Sequence, residues 1–247
     1  VTALPGLAAL TSLCPPPPVA PPAPDWPLAE GALGMSLPRD YKELVAAYGP
    51  GEFCDFLTLY RPGALSEWVD LTGPMPARLR AQLDAVRSAG TGRSAGARSP
   101  GEPRCATEDL LVVGVTGNGH YLFWDTRPRN APDRWTVAVT ERLGAPWFTY
   151  SGSVTAFLVD VLGGTLHVPL FPRDLLDDGP SFTPSRLRGR VPVTAPSTWS
   201  QVSTSTIRTW ARANGHDVPD RGRVPVAILE AWEAATHSDR PRGTDLR

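Results

Sequence analysis

The stretch from Leu110 to Gly164 constrains the fold of this chain more than any other. It holds four apolar runs of strand length, Leu110–Thr116, His120–Asp125, Trp135–Thr140 and Pro146–Tyr150, and then a helix-length segment. Gly117-Asn118-Gly119 joins the first two runs. Glycine and asparagine tolerate the left-handed backbone that a tight hairpin turn demands, so these two runs are expected to pair antiparallel. In the helical segment Val154, Phe157, Leu158, Val161 and Leu162 recur at helical spacing, and Gly163-Gly164 closes it. Upstream, Leu37-Pro38 precedes a second stripe, Tyr41, Leu44, Val45 and Tyr48, stopped by Gly49. Pro76 opens a further helix with Leu79, Leu83 and Val86 inward and Arg78, Arg80 and Arg87 solvated. Helices bracketing a meander of antiparallel strands predict an α+β domain.

At 247 residues there is room for one large domain or two modest ones, and composition marks the divisions. Residues 1–24 end in CPPPPVAPPAP, which favours polyproline II, and are expected to be a disordered extension. The globular pattern covers 25–171, interrupted at 88–103 by SAGTGRSAGARSPGEP, flexible by composition. Residues 172–202, rich in Pro, Ser, Thr and Arg, read as a linker, 203–237 as a second module and 238–247 as a disordered tail. No apolar run approaches the about 18 residues of a membrane span. The Ala/Leu start lacks the basic residues of a secretory signal, so a cytoplasmic protein is expected. Cys14, Cys54 and Cys105 are widely spaced and form no C-x-x-C pair, which fits reduced thiols rather than a disulfide framework.

The second module reads as two short helices flanking a turn. Ser203, Thr204 or Ser205 caps the first helix, and Ile207, Trp210, Ala211 and Asn214 follow at helical spacing before the stop at Asn214-Gly215. Pro225 suits the first turn of the second helix, whose apolar face is Ile228, Leu229 and Trp232. The turn carries Arg221-Gly222-Arg223. The glycine lets the backbone approach a surface while both guanidinium groups reach outward, their Cα atoms at most about 7 Å apart, close to two base-pair steps. The narrow, electronegative minor groove of A·T-rich DNA is one receptor for such a pair; the other reading, and the more frequent one for the triplet alone, is a solvated turn in an arginine-rich chain. Net charge is only −1, so nucleic-acid binding rests on a local patch: Arg186 to Arg223 holds seven arginines against Asp217 and Asp220.

Two resemblances follow from these residues. Ile207-Arg208-x-Trp210-Ala211-Arg212-x-Asn214-Gly215-His216-x-Val218, the Arg221–Pro225 turn and Ala231-Trp232-x-Ala234-Ala235-Thr236 resemble the C-terminal DNA-binding domain of actinobacterial Lsr-type nucleoid-associated proteins, H-NS-like silencers of A·T-rich DNA. The resemblance implies that Arg221, Gly222 and Arg223 enter the minor groove like an AT-hook, that Arg208, Arg212, Asn214 and His216 are phosphate-contact candidates, and that the protein sits at the nucleoid. The N-terminal dimerising domain of those proteins has no counterpart here, so DNA bridging does not carry over. Leu37-Pro38-x-Asp40-Tyr41-Lys42-Glu43-Leu44, Tyr48-Gly49, Gly114-x-Thr116-x-Asn118-Gly119, Tyr121–Asp125, Trp135-x-Val137 and Ser153-Val154-x-x-Phe157-Leu158 resemble the Smi/Knr-type branch of the SUKH superfamily. That resemblance implies a protein-binding scaffold, often an immunity protein that neutralises a toxin, with the DNA module then serving only to localise it.

Arg188-Gly189-Arg190-Val191-Pro192-Val193 repeats the Arg221–Val226 hexapeptide letter for letter. Two readings stand: a second, weaker minor-groove contact tethered to the first, or a duplicated scrap without function, since Pro196 and Ser200 leave no helix to support the copy. His120, His167, His216 and His237 show no metal-ligand spacing. Neither a nucleophile elbow nor a P-loop is present. Gly114-x-Thr116-Gly117-x-Gly119 is followed by a strand rather than a helix, so it reads as a hairpin and not a phosphate cradle. The expectation is a non-enzymatic protein with no catalytic residue, metal or cofactor, whose partner is double-stranded A·T-rich DNA.

Overall fold

A computed structural model describes residues 5–19, 21–90, 101–141, 143, 146–185, 204–216, 218, 224, 228, 231, 232 and 235. The chain divides into two compact units, Val1–Leu187 and Arg188–Arg247. In chain order the first unit holds helices α1 (Pro5–Leu13), α2 (Trp26–Leu33) and α3 (Arg39–Tyr48), strands β1 (Gly51–Phe53) and β2 (Leu57–Leu59), and helix α4 (Met75–Gly90). Strands β3 (Leu110–Thr116), β4 (His120–Asp125), β5 (Thr136–Glu141) and β6 (Trp147–Tyr150), helix α5 (Val154–Leu162) and strand β7 (Phe182–Pro184) complete it. The strands form one antiparallel sheet in the order β6-β5-β4-β3-β2-β1-β7. This is the expected α+β class.

Successive strand residues point to opposite faces, and β4 shows what covers each. Trp124 meets Tyr41 of α3 edge-on at 4.9 Å and lies 5.7 Å from Trp135. Tyr150, on the same face, meets Phe157 of α5 at 5.5 Å. Phe123 turns the other way to Trp147, over which Arg87 of α4 lies 6.0 Å from the ring centroid. The sheet is therefore covered by α3 and α5 on one side and by α4 on the other, with the largest buried side chains at these contacts. The Asp40 carboxylate accepts the Thr155 N–H (3.1 Å) in the first turn of α5, where negative charge complements the helix dipole. Ser153 caps the same helix through Ala156 N–H. Asp40, Tyr41, Ser153 and Phe157 thus hold the layers together rather than forming a site.

Four sequence expectations are corrected. In α4 it is Arg87 that is largely covered, paired with Glu102 at 3.0 Å, while Val86 is exposed. The Pro-rich start is not wholly an extension: Pro5–Leu13 is helical and packs against α5, with Leu7, Leu10 and Cys14 buried. Those three residues fall at helical spacing, and their burial stabilises a helix too short to form alone. The proline run behind them packs closely enough that a Cβ on Gly49, whose φ is +67°, would lie 2.5 Å from Pro21 Cβ. Residues 172–185 are not linker. Leu175 is buried, and Phe182 packs against Tyr48 and Phe53 at 5.0 and 4.9 Å while β7 pairs with β1. The insertion at 88–103 begins as the last turn of α4 and ends with Pro103 buried, residues 91–100 lying outside the described set. All three cysteines are buried and none forms a disulfide. Burial pushes the thiols of Cys14 and Cys105 up to about 11.

Candidate nucleic-acid interface

The second unit is organised by helix α6 (Thr204–Ala213). Its Ile207 and Ala211 form a small core with Val218, Val224 and Ile228, flanked by the half-buried Trp210 and Trp232. Ile228, Ala231, Trp232 and Ala235 are helical, at the i, i+3, i+4, i+7 spacing of one face, as expected for the second helix. The cap side chains at Ser203, Thr204 and Ser205 lie outside the described residues, as do Leu229, Pro225 and the 238–247 tail.

The end of α6 is closed by two backbone bonds. His216 N–H reaches Ala211 C=O at 2.8 Å and Gly215 N–H reaches Arg212 C=O at 3.1 Å. Together with the left-handed φ of +78° at Gly215, this is the Schellman arrangement that leaves few helix-end carbonyls unpaired. The Asn214 side-chain amide donates to Trp210 C=O (2.8 Å), and the His216 ring stacks on Trp210 with centroids 5.5 Å apart and planes 25° from parallel. The chain reversal therefore gathers Arg212, Asn214 and His216 at one exposed end of the helix. The Trp210–His216 stack was not foreseen, although the six-residue separation across a helix stop was its signal.

Arg208 does not join them. It is 3 % exposed, and its interactions are made within the structure, so its guanidinium is turned away from solvent. A buried guanidinium persists only when paired, which makes Arg208 a packing element of the module in this structure. Arg221, Gly222 and Arg223 lie outside the described residues, as do Arg188, Gly189 and Arg190. The described residues on either side of the first triplet, Val218 and Val224, are both buried in the module's core. Among the described residues no cluster of three His, Cys, Asp or Glu could hold a metal, and no helix is long and apolar enough to cross a membrane.

Family models match both units. One described as SMI1-KNR4 cell-wall (SUKH) matches residues 25–158, and one for the Lsr2 DNA-binding domain matches residues 200–235. Neither family is enzymatic. No solved structure matches the chain.

Proposed function

The chain belongs to the SUKH (SMI1-KNR4) family and ends in an Lsr2-type DNA-binding domain, and we propose that it binds the minor groove of A·T-rich duplex DNA as a nucleoid-associated regulator. The observation that carries this reading is the coincidence of the Lsr2 match with the module whose helix end presents Arg212, Asn214 and His216 to solvent. Arg221 and Arg223 lie along the groove floor, where the negative potential of A·T tracts is deepest, and Gly222 permits the close approach. Arg212, Asn214 and His216 contact flanking phosphates, which position the module without reading sequence. Because the minor groove distinguishes little beyond A·T from G·C, the preference is for base composition rather than a defined word. Arg221→Ala tests the assignment: it removes the preference for A·T-rich over G·C-rich duplex, and a variant that still discriminates as the parent does refutes it.

The tandem Arg188-Gly189-Arg190 copy acts in this reading as a second, weaker contact on the same duplex. The double change Arg188→Ala with Arg190→Ala then lowers affinity for a long A·T-rich duplex but not for one spanning a single site. Unchanged affinity on the long duplex leaves the copy without a role.

A second reading is favoured by the SUKH match, which covers more than half of the chain. In it the first unit is an immunity-type protein that binds and neutralises a toxin, and the module localises it on the chromosome. A stoichiometric complex with a nuclease encoded beside it would support that reading.

A further inference from the structure

Strand β6 is an outer edge of the sheet. The Glu141 N–H to Pro146 C=O bond (3.4 Å) marks one bonded pair of the β5–β6 ladder. Bonded and unbonded pairs alternate along an antiparallel ladder. Val139–Phe148 and Val137–Tyr150 are then bonded, and Thr140–Trp147 and Ala138–Thr149 are not. Trp147 and Thr149 therefore turn their N–H and C=O groups away from β5, toward the open side. The packing of Gly101 agrees, since a Cβ there would lie 2.3 Å from the Trp147 carbonyl oxygen. Residue 101 thus shields the edge at Trp147. At Thr149, which is exposed, the described residues place no backbone partner on the open side.

A cleft of about 440 Å³ opens beside Thr149, between residues 101–104 and the sheet face that carries Asp125, Thr136 and Ser151. Its charges cancel except for one. Asp125 takes two bonds from Arg127 (2.9 and 2.7 Å), and Glu102 is paired with Arg87 (3.0 Å). Arg104 lines the same cleft, is exposed, and has neither a hydrogen bond nor an ion pair among the described residues. Among the described residues the cleft thus offers one unengaged cation, several hydroxyl donors and a strand edge whose Thr149 backbone groups have no partner.

We propose that this edge takes an extended, acidic segment of a protein partner as an added strand. The partner's backbone pairs with Thr149, and a carboxylate two residues along, on the face toward the cleft, is held by Arg104 and the hydroxyls of Thr136 and Ser151. Backbone pairing supplies affinity in such strand addition, and pockets for alternate side chains supply specificity. A basic segment is disfavoured because both carboxylates in the cleft already have arginine partners.

The test is amide NMR of the full chain titrated with two blocked peptides, Ac-Thr-Glu-Val-Glu-Val-Thr-NH2 and its counterpart with Lys for Glu. The arginines of the DNA-binding module also attract acidic peptides, so the readout is the Thr149 amide rather than total binding. The Glu peptide shifts the Thr149 resonance and slows its hydrogen exchange at least about tenfold more tightly than the Lys peptide, and Arg104→Glu inverts the preference. A silent Thr149 amide at millimolar Glu peptide overturns the proposal, as does equal response to both peptides or a preference that Arg104→Glu leaves unchanged. None of these outcomes bears on DNA binding.

Discussion

The α+β unit and the C-terminal module differ in how much of each is core. In the first, a seven-stranded sheet is covered on both faces, and Trp124, Trp135, Tyr41 and Phe157 are almost wholly buried. In the second, among the described residues, Ile207, Ala211, Val218, Val224 and Ile228 and two half-buried tryptophans do the same task. Charge differs as well: residues 1–187 carry 15 basic and 19 acidic groups, residues 188–247 nine and six. So small a core tolerates little loss, whereas the larger unit can give up a contact and remain folded. The difference teaches that this chain separates stability from DNA chemistry, and the separation can be tested by damaging each unit in turn.

The largest effect is expected from Trp124→Ala, which removes a side chain packed between Tyr41 and Trp135 and costs about 3–5 kcal/mol. The main thermal transition should drop by roughly 6–20 °C while affinity for A·T-rich duplex stays as it was. Loss of DNA binding in this variant would break the comparison. Ile207→Ala acts in the opposite sense. It costs about 2–5 kcal/mol, enough to unfold a core of this size, so DNA binding falls more than about tenfold with the main transition unmoved.

Arg212→Ala sharpens the comparison within the module. Each phosphate neutralised contributes about −0.9 to the slope of log affinity against log salt, so the slope should become shallower by about that amount with the A·T preference retained. An unaltered slope would mean that Arg212 touches no phosphate. The smallest effect concerns the first unit alone. Cys14 and Cys105 are pushed up to about 11 by burial, from an ordinary 9.0, and burial raises Tyr41 and Tyr60 in the same direction. Groups held protonated by the fold contribute stability that is whole below their unfolded values and is lost as pH climbs through the folded ones. The melting temperature should thus be level up to about pH 9 and decline toward pH 11. At pH 8 the native chain should show no thiol reactive to Ellman's reagent, and three in denaturant.

What was legible in the sequence followed from the length of each signal. β3, β4 and α5 fall at the expected bounds because Gly117-Asn118-Gly119 and a nine-residue apolar stripe leave little choice. β1, β2 and β7 have three residues each, too few for alternation to show. The turn between β1 and β2 places Cys54 and Asp55 at φ +51° and +47°, a hairpin conformation with no glycine to announce it. Helix α1 was hidden by its proline-rich setting, since Leu7 and Leu10 become informative only once α5 is there to cover them. At the interface, Gly215 and Asn214 marked the helix end correctly. Arg208 looked like a surface charge by type, yet it sits one residue after Ile207 and three before Ala211, next to the buried face. Composition likewise gave no hint that Arg104 would stand beside a strand edge with no ion pair among the described residues.

In the proposed function, one small basic module gives the whole chain an attraction to A·T-rich DNA. Titrating the full chain against A·T-rich and G·C-rich duplexes of equal length, from low to physiological salt, tests it most directly. Affinities should fall linearly with salt on logarithmic axes, with an A·T preference of at least about tenfold throughout. Equal affinities for the two duplexes at every salt concentration would contradict it.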